Sequence, residues 1–317
     1  PGGPAFKAVA VAAVASLAAL PWASSWLPYA PVLAQDVLLA VLFAVSLHFI
    51  MGPGGMHSFG HAAYYGLGAY GAAVLVKAAT MPMPLALALA PLAAGLGALL
   101  FGWFCVRLSG VYLAMLTLAF SQIVWSIVFQ WDSVTGGSNG LFGIWPAPWI
   151  TPTVYYYGVL ALVVLSVYAM RRMLFAPFGY ALRAGRDSSL RADAIGIDVP
   201  RVQWMAFVIA GLFAGLAGAL FVFSKGGISP DAMAVGKSVD GLVMVLLGGV
   251  QTLTGPVIGA TAFNLLQDKI MRATEFWRAS FGGVMLLLVL VFPQGLAGFA
   301  RRLGDWRAAR LAHGGAE

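Results

Sequence analysis

Long charge-free apolar runs dominate this sequence, and one polar island, 171–201, interrupts them. It reads RRMLFAPFGYALRAGRDSSLRADAIGIDVPR. It holds six arginines (Arg171, Arg172, Arg183, Arg186, Arg191, Arg201) and three aspartates (Asp187, Asp193, Asp198). The flanks, 153–170 and 202–224, carry no charge. An arginine at a bilayer centre costs roughly 2.5–3.5 kcal/mol on insertion scales, so six would cost on the order of 18 kcal/mol. The island therefore lies in water, and its arginine excess marks the cytoplasmic side.

The remaining composition agrees. Of the 317 residues, 61% are hydrophobic and 9% charged, where a soluble domain carries about 25% charged residues. A polytopic membrane protein follows. The 39 glycines fit close helix contact in a bilayer. The net charge of +7 reads as topology and headgroup contact, not nucleic-acid binding, because ten of the 18 basic residues fall in 171–201 and 301–310. Cys105 is the single cysteine, which excludes an intrachain disulfide and a cysteine metal cluster. The stretch 6–20 reads either as a first span or as the core of a signal peptide.

About twenty apolar residues cross a bilayer. Candidate spans are 6–21, 32–51, 60–76, 84–106, 110–130, 153–170, 202–223 and 281–296. The break GPGGMHSF at 52–59 opposes a regular helix and is tolerated at membrane depth only beside protein or a water-filled cavity. With 171–201 inside, parity places Arg107 inside, Lys77 outside, the N-terminus inside, and both 131–152 and 225–238 outside. The tail, with Arg301, Arg302, Arg307 and Arg310, belongs inside. That requires 239–267 to cross twice or to enter and return. Gly248-Gly249 and Gly255-Pro256 break it into two short helices, about 239–247 and 257–267. The expectation is an all-α membrane bundle forming one domain over 1–317. It has about eight full spans plus a broken or re-entrant pair, with both termini cytoplasmic.

Several small patterns have two readings. In 171–201, Asp187 or Ser188 suits an N-cap, 189–195 a short basic amphipathic helix of one or two turns, and Gly196 its C′ position. This is either an ordinary positive-inside loop or a docking element for a cytoplasmic motor. Gly211, Gly215 and Gly218 share a helix face, for close packing or for a sliding subunit contact. His57 and His61 are four apart but lack the glutamate of H-E-x-x-H and a third ligand, so packing or pathway lining is the reading. His48 and Asn264 lie in apolar spans and need partners or a cavity. Gly236-Lys237-Ser238 is not an ATP-binding loop, because G-x-x-x-x-G-K-S/T needs glycine where Asp231 stands. The loop Thr135–Gly140, with Gly136, Gly137 and Asn139, is a turn or a contact for a substrate-delivering protein.

The run PFGYALRAGRDSSLRADAIGIDVPRVQWMAFVIAGLFAGLAGALF resembles the cytoplasmic coupling loop of the permease subunits of branched-chain amino-acid ABC importers. These show an SPFGRALRAIRDDE-like run, then AEALGI, then a helix ending FAGLAGAL. GGMHSFGHAAYYGLGAY at 54–70 resembles the family's GQLSLGHAAFFGIGAY. GVYLAMLTLAFSQIVWSIVFQWDSVTGGSNGL at 110–141 resembles YFAMLTLAF…TGGxxGL, a pattern of the larger of the two permease types, and 238–259 resembles the paired glycine-rich break. Ser188 and Ser189 depart from residues often acidic in the family. The resemblance implies an inner-membrane permease with no catalytic, cofactor or metal site of its own. ATP and magnesium would be held by two cytoplasmic ATPase subunits. A second permease, an extracytoplasmic solute-binding protein and the bilayer complete the partners. Phe178, Leu190 and Ile195 would give the apolar part of the ATPase contact and Arg183, Arg186 and Asp187 the ionic part, with Gly179, Arg191 and Gly196 in the same coupling loop. Gly54, Gly55, His57, His61, Gly136, Gly137, Asn139, Gly248, Gly249 and Asn264 are pathway or gate candidates. The substrate is branched-chain or another small neutral solute. The alternative is an autonomous secondary transporter or channel, which broken helices alone would suit. Asp240 is the main acidic residue within an apolar segment available to such a mechanism.

Overall fold

The computed structural model describes residues 4–25, 29–291, 295, 296 and 298. The helices are α1 (Pro4–Ala19), α2 (Ala30–Met51), α3 (His61–Lys77), α4 (Met83–Cys105), α5 (Gly110–Gln130), the single turn α6 (Asp132–Thr135), α7 (Pro152–Leu174), α8 (Pro177–Asp187), α9 (Ser189–Ala194), α10 (Val199–Lys225), α11 (Val235–Gly248), α12 (Thr254–Ala273) and α13 (Trp277–Val291). Two-residue strands β1 (Leu141–Phe142) and β2 (Gly227–Ile228) pair antiparallel, with Leu141 opposite Ile228. The fold is all-α in class. Among the described residues, α2, α4, α5, α7 and α10 are long and apolar enough to cross a membrane. The basic tail 300–317 lies outside the described residues.

α2 is apolar around its whole circumference, and such a helix is buried on every side. Every residue from Val37 to Met51 is buried. Its two interior polar side chains have partners: Ser46 Oγ donates to Phe43 O at 2.7 Å, and His48 Nε2 lies 2.9 Å from Val250 O. Around this axis α3, α4 and α10 meet across small residues. Tyrosine hydroxyls satisfy main-chain carbonyls in the apolar interior: Tyr155 to Leu220 O (2.5 Å), Tyr156 to Leu17 O (2.8 Å) and Tyr157 to Ala18 O (2.9 Å). The last two tie α7 to α1.

α12 runs antiparallel to α2 along nearly its whole length. The turn before α12 meets α2 at His48, and Asp268 near its far end accepts from Tyr29, the residue before α2, at 3.0 Å. The two helices of the broken pair are therefore longer than the sequence suggests: 14 residues for α11 and 20 for α12. Gly255-Pro256, read from the sequence as a second break, instead lies in the first turn of α12, where a helix leaves its N–H groups without intrahelical partners and a proline is tolerated.

Residues 225–238, the connection after α10, are largely packed into the bundle. Gly226, Gly227, Ile228, Pro230 and Met233 are buried, and Met233 packs on Gly66 of α3. The chain folds back inward, and α11 begins part-way through the bundle. There Ser238 Oγ accepts from Ala62 N (2.9 Å), and His61 Nε2 lies 2.8 Å from Ser46 Oγ in α2. α3 thus begins at the same interior level, after the irregular stretch 52–60. Phe59 N donates to Thr117 Oγ1 (3.1 Å) and Ala63 N to Gly60 O (3.0 Å), so the irregular backbone finds protein partners where no lipid could supply them.

Candidate functional site

The polar island folds into two helices laid across the ends of α7 and α10. Pro177 sits in the first turn of α8, where its missing N–H is harmless. Of the two candidate caps, Ser188 takes the position: its extended backbone (φ −165°) ends α8, and its side chain accepts from Arg191 N to start α9. Asp198 accepts from Arg201 N at 3.1 Å and starts α10. The 11-residue α8 is the larger element and precedes the short helix read from the sequence. Gly179, Leu182 and Gly185 form its buried stripe, three residues apart. A Cβ on Gly179 would strike the Leu174 backbone, and one on Gly185 would strike Val199.

The arginines of α8 are held within the chain. Arg183 Nη2 donates to Leu174 O at 2.9 Å, and its guanidinium lies 5.4 Å from the ring centres of both Phe175 and Tyr180. Arg186 Nη1 donates to Gly52 O at 2.9 Å, while Nε and Nη2 hold Asp187 Oδ1 at 2.9 and 2.8 Å. Phe178 is half-buried and stacks on Phe49 of α2, with ring centres 6.2 Å apart. Phe178 therefore faces the bundle and is not an outward apolar contact, because the α8 turn that exposes Tyr180 points it inward. The large apolar side chains presented outward are Leu190, 83% exposed, Ile195, 76%, and Tyr180, 58%. Arg191 and Gly196 are exposed beside them.

Beneath α8 the structure gathers segments that are far apart in sequence. Gly55 has φ +67°, a left-handed backbone that favours glycine, and a Cβ there would meet Arg186 Cγ at 2.7 Å. Gly54 lies against Leu182. The α11–α12 turn closes the group: Arg171, Arg183, Arg186, Gly52 and the stretch from Val250 to Thr254 line one cavity of about 410 Å³. Gly248 and Gly249 make that turn possible. A Cβ on Gly248 would collide with the Gly255 carbonyl, and Gly249 has φ +105°. The glycine breaks at 52–55 and 248–249 therefore sit at the same end of the bundle as the polar island. Both breaks are visible in the sequence, but their meeting under α8 is not, because it joins segments about 65 to 200 residues apart.

The other candidates fall elsewhere. His57 is exposed and His61 fully buried, so the pair does not face one point. Gly136, Gly137 and Asn139 belong to a compact connector. Thr135 Oγ1 donates to Val128 O (2.6 Å) at its start, and β1 at its end pairs with β2, joining the ends of α5 and α10. Asn264 Nδ2 donates to Ala260 O at 2.8 Å within α12. Gly211, Gly215 and Gly218 are buried against Ala98, Ala94 and the Tyr65 carbonyl, inside this chain; a sliding subunit contact would need them exposed.

The sequence profile described as branched-chain amino acid transport system / permease component matches residues 32–292. The chain is 28% identical over 297 residues to the high-affinity branched-chain amino acid transport system permease protein LivM of Salmonella typhimurium, covering 85% of this chain and 70% of that protein. It is 25% identical over 288 residues to the corresponding permease protein LivH of the same organism, covering 81% and 90%. A shorter similarity, 32% over 140 residues, links it to the autoinducer 2 import system permease protein LsrC of Photorhabdus laumondii, covering 41% and 42%. No solved structure matches.

Proposed function

Since this chain belongs to the family of permease components of branched-chain amino acid transport systems, we propose that it pairs with a second permease in the inner membrane and carries a branched-chain amino acid, or a related small neutral solute, by ATP-driven alternating access. Two cytoplasmic ATPase subunits bind and hydrolyse ATP. They dock on the face formed by α8 and α9, with Tyr180, Leu190 and Ile195 outward. A solute-binding protein delivers from the opposite side. Under this reading both termini are cytoplasmic, the buried stretch 226–233 together with α11 makes one crossing, and α12 makes the return crossing beside α2.

The observation that carries the coupling role is the Arg186–Gly52 hydrogen bond together with the shared cavity beneath α8. Motion of α8 relative to the bundle bears directly on two backbone breaks, 52–55 and 248–254. Both are bendable points in otherwise packed helices, and packed helices switch between discrete arrangements more readily than they deform. The docking helices are therefore linked to the parts of the bundle able to rearrange. Affinity purification of the tagged chain in mild detergent, from cells expressing its whole operon, tests the assembly. A second permease and ATPase polypeptides are expected by mass spectrometry. A stable lone protein or homo-oligomer would support the secondary-transporter reading, to which the interior start of α11 lends itself.

A further inference from the structure

A second cavity, about 160 Å³, opens on the other side of α2, between α2, α3, α10, α11 and α12. Its size is below the ~300 Å³ of pockets for drug-sized ligands, so its occupant is a smaller molecule. Its walls are divided by chemistry. Asp36, Lys225, Lys237 and Asn264 supply charge and an amide, and Leu39, Ala40, Phe43 and Phe221 supply an apolar surface.

The charges are unevenly matched. Lys225 Nζ lies 2.7 Å from Asp36 Oδ1 and 2.9 Å from Oδ2. Lys237, in the first turn of α11, is half-buried, and its Nζ sits over the Tyr65 ring at 5.6 Å. Among the described residues it has no carboxylate within 4 Å. Asp240, one turn along α11, does not line the cavity. The N-terminal end of α11 sits here at an interior level, and its partial positive charge adds to that of Lys237. A negatively charged group has two reasons to settle at this point. Asp36, which Lys225 already holds, and the side-chain carbonyl oxygen of Asn264, without a donor among the described residues, are acceptors for a positive group.

We infer that this cavity is a binding site for a zwitterionic α-amino acid with a short aliphatic side chain. Its carboxylate meets Lys237 and the start of α11, its ammonium meets Asp36, and its side chain lies against Leu39, Ala40 and Phe43. The inference rests on the transport reading for its role, but the binding itself requires no ATPase. A carboxylate on the half-buried Lys237 and an ammonium on Asp36 form charge-assisted hydrogen bonds, roughly twice as strong as neutral ones. The apolar wall restricts the side chain by volume.

The test uses the detergent-purified complex, or the chain alone if nothing accompanies it, and three probes of one carbon skeleton. These are L-leucine, 4-methylpentanoate, which lacks the ammonium, and isopentylamine, which lacks the carboxylate. Saturation-transfer NMR reads weak binding. Leucine is expected to bind at least ten-fold more tightly than either analogue. Lys237→Met should lose at least ten-fold in leucine affinity, and Lys237→Arg should keep most of it. Ala40→Leu, which fills the apolar wall and leaves the charges alone, should exclude leucine and still admit alanine. Equal binding of the three probes, or leucine binding unchanged in both Lys237→Met and Ala40→Leu, overturns the inference. If no ATPase subunit is recovered from cells expressing the whole operon, the importer reading falls, while leucine binding with this pattern by the lone chain leaves the site standing.

Discussion

Arg186 and Gly55 illustrate how single residues act through their surroundings. Arg186 is among the most obvious charges in the sequence, and the sequence reading turns it outward to a partner. In the fold its guanidinium is divided between Asp187 and the Gly52 carbonyl, and Gly55 provides the surface on which its stem lies. A side chain on Gly55 must hold a left-handed backbone, which costs roughly 1–2 kcal/mol for an ordinary L-residue, and must displace Arg186. Gly55→Val is therefore expected to lower the thermal midpoint of the purified protein by a few degrees and to reduce uptake more than ATP hydrolysis. Equal loss of both, or of neither, would count against a coupling contact here. Replacing Arg183 and Asp187 together should likewise reduce uptake per ATP hydrolysed while the protein remains in the membrane. Full transport by that double variant at normal expression would remove them from the coupling role. Because Arg183 also holds the Leu174 carbonyl, its loss should cost about 1 kcal/mol of stability as well.

At the scale of elements, α8 and α9 divide their labour. α8 is bound to the bundle by Leu182 and its glycines, and α9 presents Leu190 to water, with Ile195 exposed just after its end. These exposed apolar side chains on an arginine-rich surface suit the proposed ATPase contact, and a few such residues usually carry most of an interface's binding energy. Leu190→Asp combined with Ile195→Asp should weaken recovery of the ATPase subunits by ten-fold or more, equivalent to about 1.4 kcal/mol, without altering membrane insertion. Undiminished co-purification would place the docking surface elsewhere. The α11–α12 crossing behaves differently, because backbone meets backbone at Gly248, Gly255 and Gly259. Gly248→Leu overfills that contact and should destabilise the protein by about 1–3 kcal/mol, seen as reduced yield and earlier thermal aggregation; a stable, fully active Gly248→Leu protein would contradict the crossing.

For the whole molecule, orientation is the decisive property. Cys105 is buried within α4 and is the only cysteine in the chain, so a single introduced cysteine reports its own position. Ser189→Cys should react with impermeant thiol reagents only when the cytoplasmic face is exposed, and Ser138→Cys only from the opposite face; labelling of both from one side would break the topology. The charge-free runs determined that the chain is a membrane helix bundle, because twenty apolar residues have few alternatives and six arginines cannot stay in lipid. The glycine breaks within 52–59 and at 248–249 were equally legible, and the start of α9 was narrowed to Asp187 or Ser188, since backbone conformation and capping are local. The sequence by itself did not place Arg186 on Gly52, turn Phe178 inward, fold 226–233 back into the bundle, or bring Asp36, Lys237 and Asn264 to one cavity. Those facts depend on which face of each helix meets which neighbour. When nearly every face is apolar, periodicity does not distinguish the faces, and only the packing of the whole bundle decides.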